Sequence, residues 1–196
     1  MLPLFRRSRS VDYSHSGINL EVVLDEPAVR NVPIFQSQRI FPESSVNRTN
    51  GGGVGRRSAR GEGCKVLVVD DSPLNIKYIV RHIQRCEIVM GMNLNLDIGQ
   101  AEDGVEAVAE VEQAERDGRP FDVVFMDNIM NIMNGPEAAR RMRDLGFGGL
   151  IVGVTGSVMV RDVQNYGMAG ADLILSKPIS TEAMNGVFKR IMDSCP

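Results

Sequence analysis

A chain of 196 residues has room for one ordinary domain and a sizeable extension. Its apolar (43%) and charged (24%) fractions suit a globular protein, and no stretch approaches the roughly 20 apolar residues that span a membrane. Three widely spaced cysteines (Cys64, Cys86, Cys195), no C-x-x-C pair and only two histidines exclude a disulfide scaffold, a zinc site and a His-rich centre, and they predict a reducing, cytoplasmic setting.

The first 64 residues show no sustained periodicity. Met1 to Ser10 carries arginines but no apolar segment after them, so no secretory signal is read there. Pro3, Pro27, Pro33 and Pro42 interrupt every candidate element, and Gly51-Gly52-Gly53-Val54-Gly55 reads as a flexible linker. The apolar run Ile18 to Leu24 has the character of one strand, but alone it has neither partner nor core. Residues 1–60 hold nine Arg against five Asp or Glu, whereas the remainder holds thirteen Lys or Arg against twenty acids. The expectation is a mildly basic, disordered tail and linker over 1–64, joined to an acidic domain over 65–193.

From Lys65 the pattern alternates. Val66 to Val69 is a short, β-branched apolar run, as in a strand buried on both faces. Ser72-Pro73 then opens a helix, Leu74 to Cys86, with Ile76, Ile79, Val80 and Ile83 on one face. There follow a strand over Leu94 to Ala101, a helix over Gly104 to Arg116, a strand over Phe121 to Met126 and a helix over Pro136 to Leu145. A strand over Leu150 to Val154, a helix over Val158 to Gly167, a strand over Leu173 to Leu175 and a helix over Thr181 to Met192 complete the series. Five strands alternating with five helices predict an α/β fold, a doubly wound parallel sheet with helices on both faces. In such sheets ligands bind beyond the carboxyl ends of the strands.

At those ends stand Asp70 and Asp71, then Asp127, then Thr155, then Ser176-Lys177-Pro178. Helix capping accounts for Ser72 and Asp71. It does not account for Asp127, whose following helix starts well downstream, nor for a lysine at the same edge. Clustered carboxylates repel unless a cation neutralises them. Oxygen donors without Cys or His suit Mg²⁺, which binds one or two carboxylates and keeps several waters. Together with Lys177 such an ion stabilises a transferring phosphoryl group, Thr155 can bond one of its oxygens, and Asp127 is placed as nucleophile.

The motifs Val-Leu-Val-Val-Asp70-Asp71-Ser, Val-Val-Phe-Met-Asp127-Asn, Gly-Val-Thr155-Gly and Leu-Ser-Lys177-Pro178 occur in that order. Residues 65–193 resemble the receiver domain of response regulators, especially the receivers of eukaryotic hybrid histidine kinases. The resemblance implies a flavodoxin-like, five-stranded sheet of order 2-1-3-4-5. It implies a phosphoryl group on Asp127, and Mg²⁺ held by Asp71, Asp127 and the backbone carbonyl of Ile129, with Asp70 acting mainly through water. It implies that Lys177 bonds the acyl phosphate and precedes a cis proline. Three departures stand out. Asn131 replaces the family's usual proline, which predicts a more mobile loop. Ile174 replaces the usual switch aromatic, which predicts a weak conformational response to phosphate, unless Met159 or Val160 moves instead. The stretch from Cys86 to Ala101 is longer than usual, with Glu87 to Leu94 an extended helix end or a loop.

The expected partner is a histidine kinase or a histidine phosphotransfer protein, with a stand-alone receiver and a fragment of a hybrid kinase both open. His82, on the first helix, is read as an ordinary helix residue and not as a phosphorelay histidine. No helix-turn-helix or basic stripe for DNA is visible. Two alternatives remain: a pseudo-receiver that binds without being phosphorylated, and a haloacid-dehalogenase-type phosphatase. The first is disfavoured by the complete acidic site. The second is disfavoured by the adjacency of Asp70 and Asp71, where D-x-D is required, and by the unexplained Asp127.

Overall fold

The computed structural model describes residues 21–23, 63–89, 91, 94–156 and 160–193. In chain order the elements are β1 (Glu21–Val23), β2 (Lys65–Val69), α1 (Pro73–Val89), β3 (Asp97–Ala101), α2 (Gly104–Arg116) and β4 (Val123–Asp127). Then come α3 (Gly135–Asp144), β5 (Leu150–Thr155), α4 (Val160–Ala169), β6 (Leu173–Ser176) and α5 (Thr181–Asp193). The strands form one parallel sheet in the order β1-β6-β5-β4-β2-β3. From β2 onward this is the predicted flavodoxin-like order 2-1-3-4-5.

The sequences of β2, β4, β5 and β6 carry no polar alternation because both of their faces are covered. Val66 and Val68 of β2, Val123 and Phe125 of β4, and Val152 and Val154 of β5 turn to one face, against Ile76, Ile79 and Ile83 of α1 and Met184, Val187 and Phe188 of α5. Leu67, Val69, Val124, Met126, Ile151 and Ile174 turn to the other, against apolar residues of α2, α3 and α4. Every strand is parallel, so β2, β4, β5 and β6 all end at one edge. The register there pairs Val69 with Met126, Asp127 with Val154 and Thr155 with Ser176.

The structure corrects two expectations. The apolar run around Glu21–Val23 is not without a partner: it pairs parallel with β6, Val22 opposite Ile174, and the sheet has six strands instead of five. The reason is that β6 would otherwise be an open edge with unpaired N–H and C=O groups, which local sequence periodicity cannot reveal. The strand expected from Leu94 begins only at Asp97, because Asn95 takes a positive φ of 46° and bends the chain. Helix α1 runs to Val89, into the stretch expected as an extended helix end or a loop, and Glu87 accepts the Leu94 amide (2.9 Å). The remaining expectations for the first 64 residues, and those on Met159 and Cys195, lie outside the described residues, as does the Val160 side chain.

Candidate functional site

The ends of β2, β4, β5 and β6 bring the predicted residues together. Asp70 is almost fully buried. Its Oδ1 accepts the Ser72 amide (3.0 Å) and the Asn75 side-chain amide (2.9 Å), and its Oδ2 accepts Lys177 Nζ (2.7 Å). Asp127, at the last position of β4, accepts Lys177 Nζ on Oδ1 (2.5 Å) and the Ile129 amide on Oδ2 (3.0 Å). One ammonium thus bridges two carboxylates that would otherwise repel. Burial works to lower the Lys177 pKa, but the bonds to Asp127 and Asp70 outweigh it and hold it above the ordinary value. Thr155 ends β5, buried, and its carbonyl accepts the Lys177 amide (2.7 Å). The Lys177–Pro178 peptide is cis.

Asp71 points to solvent and joins the cluster indirectly: its Oδ2 accepts the Asn131 side-chain amide (3.1 Å). Asn131 therefore ties the loop after β4 to the edge, where its substitution for proline had suggested a freer loop. That loop has two more anchors. Asp103, the N-cap of α2, accepts the amides of Ile132 (2.9 Å) and Met133 (3.2 Å). Burial works to raise the Asp103 pKa, but the amides of Val105, Ile132 and Met133 outweigh it and hold the carboxyl below the usual range. Ile129 exposes its side chain and lends its amide to Asp127. Ile174 is fully buried in the core and reaches none of these groups.

The donor set fits a hard cation of modest coordination demand. Among the described residues no three Asp, Glu, His or Cys side chains converge to hold a metal by themselves. Mg²⁺ does not require three: one or two carboxylates, a carbonyl and water suffice. Asp71 offers an exposed carboxylate at the end of β2, while Asp70 is committed to Lys177, Ser72 and Asn75.

Reading the sequence missed Asn75, Asp103 and Tyr166, and took Asn131 only as the loss of a proline. Tyr166 of α4 is fully buried, and its hydroxyl donates to the backbone carbonyls of Asp127 (2.7 Å) and Met126 (2.9 Å). Burial, and next the charge of Asp127, push its pKa well above the ordinary value. The helix over Val158 to Gly167 was expected, but no signal in it marks Tyr166 as a hydrogen-bond donor to the site.

The family model described as "response regulator receiver domain" matches residues 66–189, more than half of the chain. The chain belongs to the response regulator receiver family. It is 33% identical over 126 residues to the two-component response regulator ORR41 of Oryza sativa subsp. japonica, covering 64% of this chain and 92% of that protein. It is 29% identical over 119 residues to the sensor histidine kinase RcsC of Salmonella typhi, covering 61% of this chain but only 11% of the kinase. Among solved structures it is similar to the receiver domain of the sensor histidine kinase PA1611 from Pseudomonas aeruginosa PAO1, which has a magnesium ion in its active-site cleft. That likeness has a TM-score of 0.56 and 22% identity, covering 67% of this chain and 98% of that one, and it supports the fold. The receiver family thus spans response regulators and kinase-borne receivers of two-component systems, and this match displaces the phosphatase alternative. No helix among the described residues is long and apolar enough to cross a membrane.

Proposed function

We propose that this receiver accepts a phosphoryl group on Asp127 from the phosphohistidine of a histidine kinase or a histidine phosphotransfer protein. The observation that carries the reading is the Lys177 ammonium, bridging Asp70 and Asp127 at the strand ends beside Thr155. An Asp127 carboxylate oxygen attacks phosphorus, the P–N bond to the donor imidazole breaks, and the imidazole leaves with the bonding pair. Lys177 turns from the carboxylate toward the incoming phosphoryl oxygens, and Thr155 offers its hydroxyl to one of them. Asp70, fixed from three directions, holds Lys177 in place. Asp71, Asp127 and the carbonyl of Ile129 would hold Mg²⁺, which when bound would supply positive charge to offset that of the phosphoryl oxygens. The protein is a phospho-acceptor that assists its own phosphorylation and dephosphorylation, and not an enzyme acting on a separate substrate.

We assign the receiver to residues 65–193 and a tail and linker role to the preceding segment, apart from Glu21–Val23, which adds a strand to the sheet. Cys86 is a buried free thiol, which supports a reducing, cytoplasmic setting.

The test is intact mass after incubation with acetyl phosphate, with and without Mg²⁺. Wild type is expected to gain one phosphoryl group only when Mg²⁺ is present, and Asp127→Ala none. Equal uptake by the two proteins would sink the assignment.

A further inference from the structure

Behind the site, three elements converge on one hydroxyl. Tyr166 enters from α4, and its ring lies over Gly153 of β5, where an added Cβ would meet three ring atoms at 3.1 Å. In the register Gly153 pairs with Ile174, which shares the core cluster of Tyr166. A glycine and an aliphatic side chain therefore leave the slot that the ring fills. The hydroxyl reaches the carbonyls of Met126 and Asp127, where β4 ends and its ladder runs out. On the far side stands Gly135, the first residue of α3, whose amide donates to the Asn128 carbonyl (3.1 Å). A side chain at Gly135 would overlap both the Tyr166 hydroxyl and the Asp127 carbonyl oxygen.

A buried tyrosine ordinarily finds some hydrogen-bond partner, and a purely structural role would end there. Here the partner is the backbone of the phospho-acceptor itself. The Asp127 carboxylate is held by two groups, the Ile129 amide and Lys177, and the first of these belongs to the loop that leaves Asp127. A shift of the Asp127 peptide displaces both the carboxylate and the Ile129 carbonyl. Reacting groups misplaced by about 1 Å lose much of their effectiveness.

We propose that Tyr166 is a positioning residue for the receiver site: its hydroxyl clamps the main chain of Asp127 and so sets the oxygen donors that take up Mg²⁺ and phosphate. The proposal rests on the reading of Asp127 given above. It also ties α4 to the main chain of the phospho-acceptor, while Lys177, just beyond β6, holds its carboxylate.

The test compares wild type with Tyr166→Phe, which keeps the ring and removes the hydroxyl, and with Gly135→Ala, which keeps the tyrosine and crowds both its hydroxyl and the Asp127 carbonyl. Val163→Ala is the control, a core truncation on the same helix with no polar side-chain atom to offer Asp127. Mg²⁺ affinity is read by amide chemical-shift titration without any phosphoryl donor, phosphate uptake with acetyl phosphate, and Tm for each protein. Tyr166→Phe and Gly135→Ala are expected to weaken Mg²⁺ binding roughly tenfold, the low end for groups that orient metal ligands, and to slow phosphate uptake. Val163→Ala should lower Tm and leave Mg²⁺ affinity unchanged. If the first two lower Tm but bind Mg²⁺ as wild type does, or if Val163→Ala weakens binding equally, the clamp is overturned. A wild type that takes up neither Mg²⁺ nor phosphate overturns the receiver reading and this role with it.

Discussion

Replacing Lys177 by methionine should destabilise the protein and reverse how its stability responds to pH. Methionine keeps most of the stem and deletes the charge. In wild type the ammonium lies 2.7 Å from Asp70 and 2.5 Å from Asp127, whose side chains are 1% and 11% exposed. Breaking a buried pair by removing one partner costs about 3–5 kcal/mol. Lys177 itself is 27% exposed, and Asp70 keeps its bonds from Ser72 and Asn75, so the low end applies, about 3 kcal/mol. At roughly 4 °C per kcal/mol for a domain of this size, Tm should fall by roughly 12 °C at pH 7. The Lys177 pKa is raised in the folded protein. Its contribution is therefore complete below the unfolded lysine value of 10.5 and is lost as pH rises through the folded value. The wild type should show that alkaline loss, and Lys177→Met should lack it. In the variant the two carboxylates face each other without a counter-ion, so protonating one relieves repulsion and stability should rise on acidification. Thermal unfolding of both proteins from acid to alkaline pH, followed by circular dichroism, reads all three effects. A fall below roughly 3 °C at pH 7, or matching alkaline limbs, would refute the reasoning.

Asp71→Ala should leave Tm nearly unchanged, within about 0.5 kcal/mol, because the side chain is exposed, while calorimetric titration should show roughly tenfold weaker Mg²⁺ binding or worse. Arg143→Lys should destabilise by about 2–4 kcal/mol in denaturant unfolding, yet leave phosphate uptake intact below the new Tm. The guanidinium is 8% exposed and serves Asp172 and the carbonyls of Phe147, Gly149 and Gly170 at once, which an ammonium cannot do, and it lies away from the phosphoryl site. A chain starting at Gly61 loses the three-residue β1 and exposes the β6 edge; it should still fold and take up phosphate at a similar rate, with only a small fall in Tm by differential scanning calorimetry.

Most of the receiver fold is legible in the chain because buried parallel strands leave uninterrupted apolar runs, as in Val66 to Val69 and Val123 to Met126. The acidic and basic groups that end those runs mark the site, since nothing in the core needs Asp127 or Lys177 there. The contribution of β1 was hidden because it depends on the open edge of β6, a property of the assembled sheet. Asn131 was visible only as a lost proline. Its bond to Asp71 joins two loops sixty positions apart, and no local pattern encodes that contact. Tyr166 was hidden for the opposite reason. Its helical spacing matches an ordinary core residue, and only the absence of side chains at Gly135 and Gly153 allows its hydroxyl to reach Asp127. The start of β3 was misplaced because Leu94, Leu96 and Ile98 alternate with polar residues as a strand's side chains do, whereas a single positive φ at Asn95 delays the strand.

The most direct test of the central claim is to locate the phosphoryl group itself. The protein is treated with acetyl phosphate and Mg²⁺, the acyl phosphate is reduced with borohydride, and the digest is searched by tandem mass spectrometry for homoserine. Homoserine at position 127, absent when Mg²⁺ is withheld, is the predicted result. Homoserine at Asp70 or Asp71 with position 127 unmodified would contradict the account.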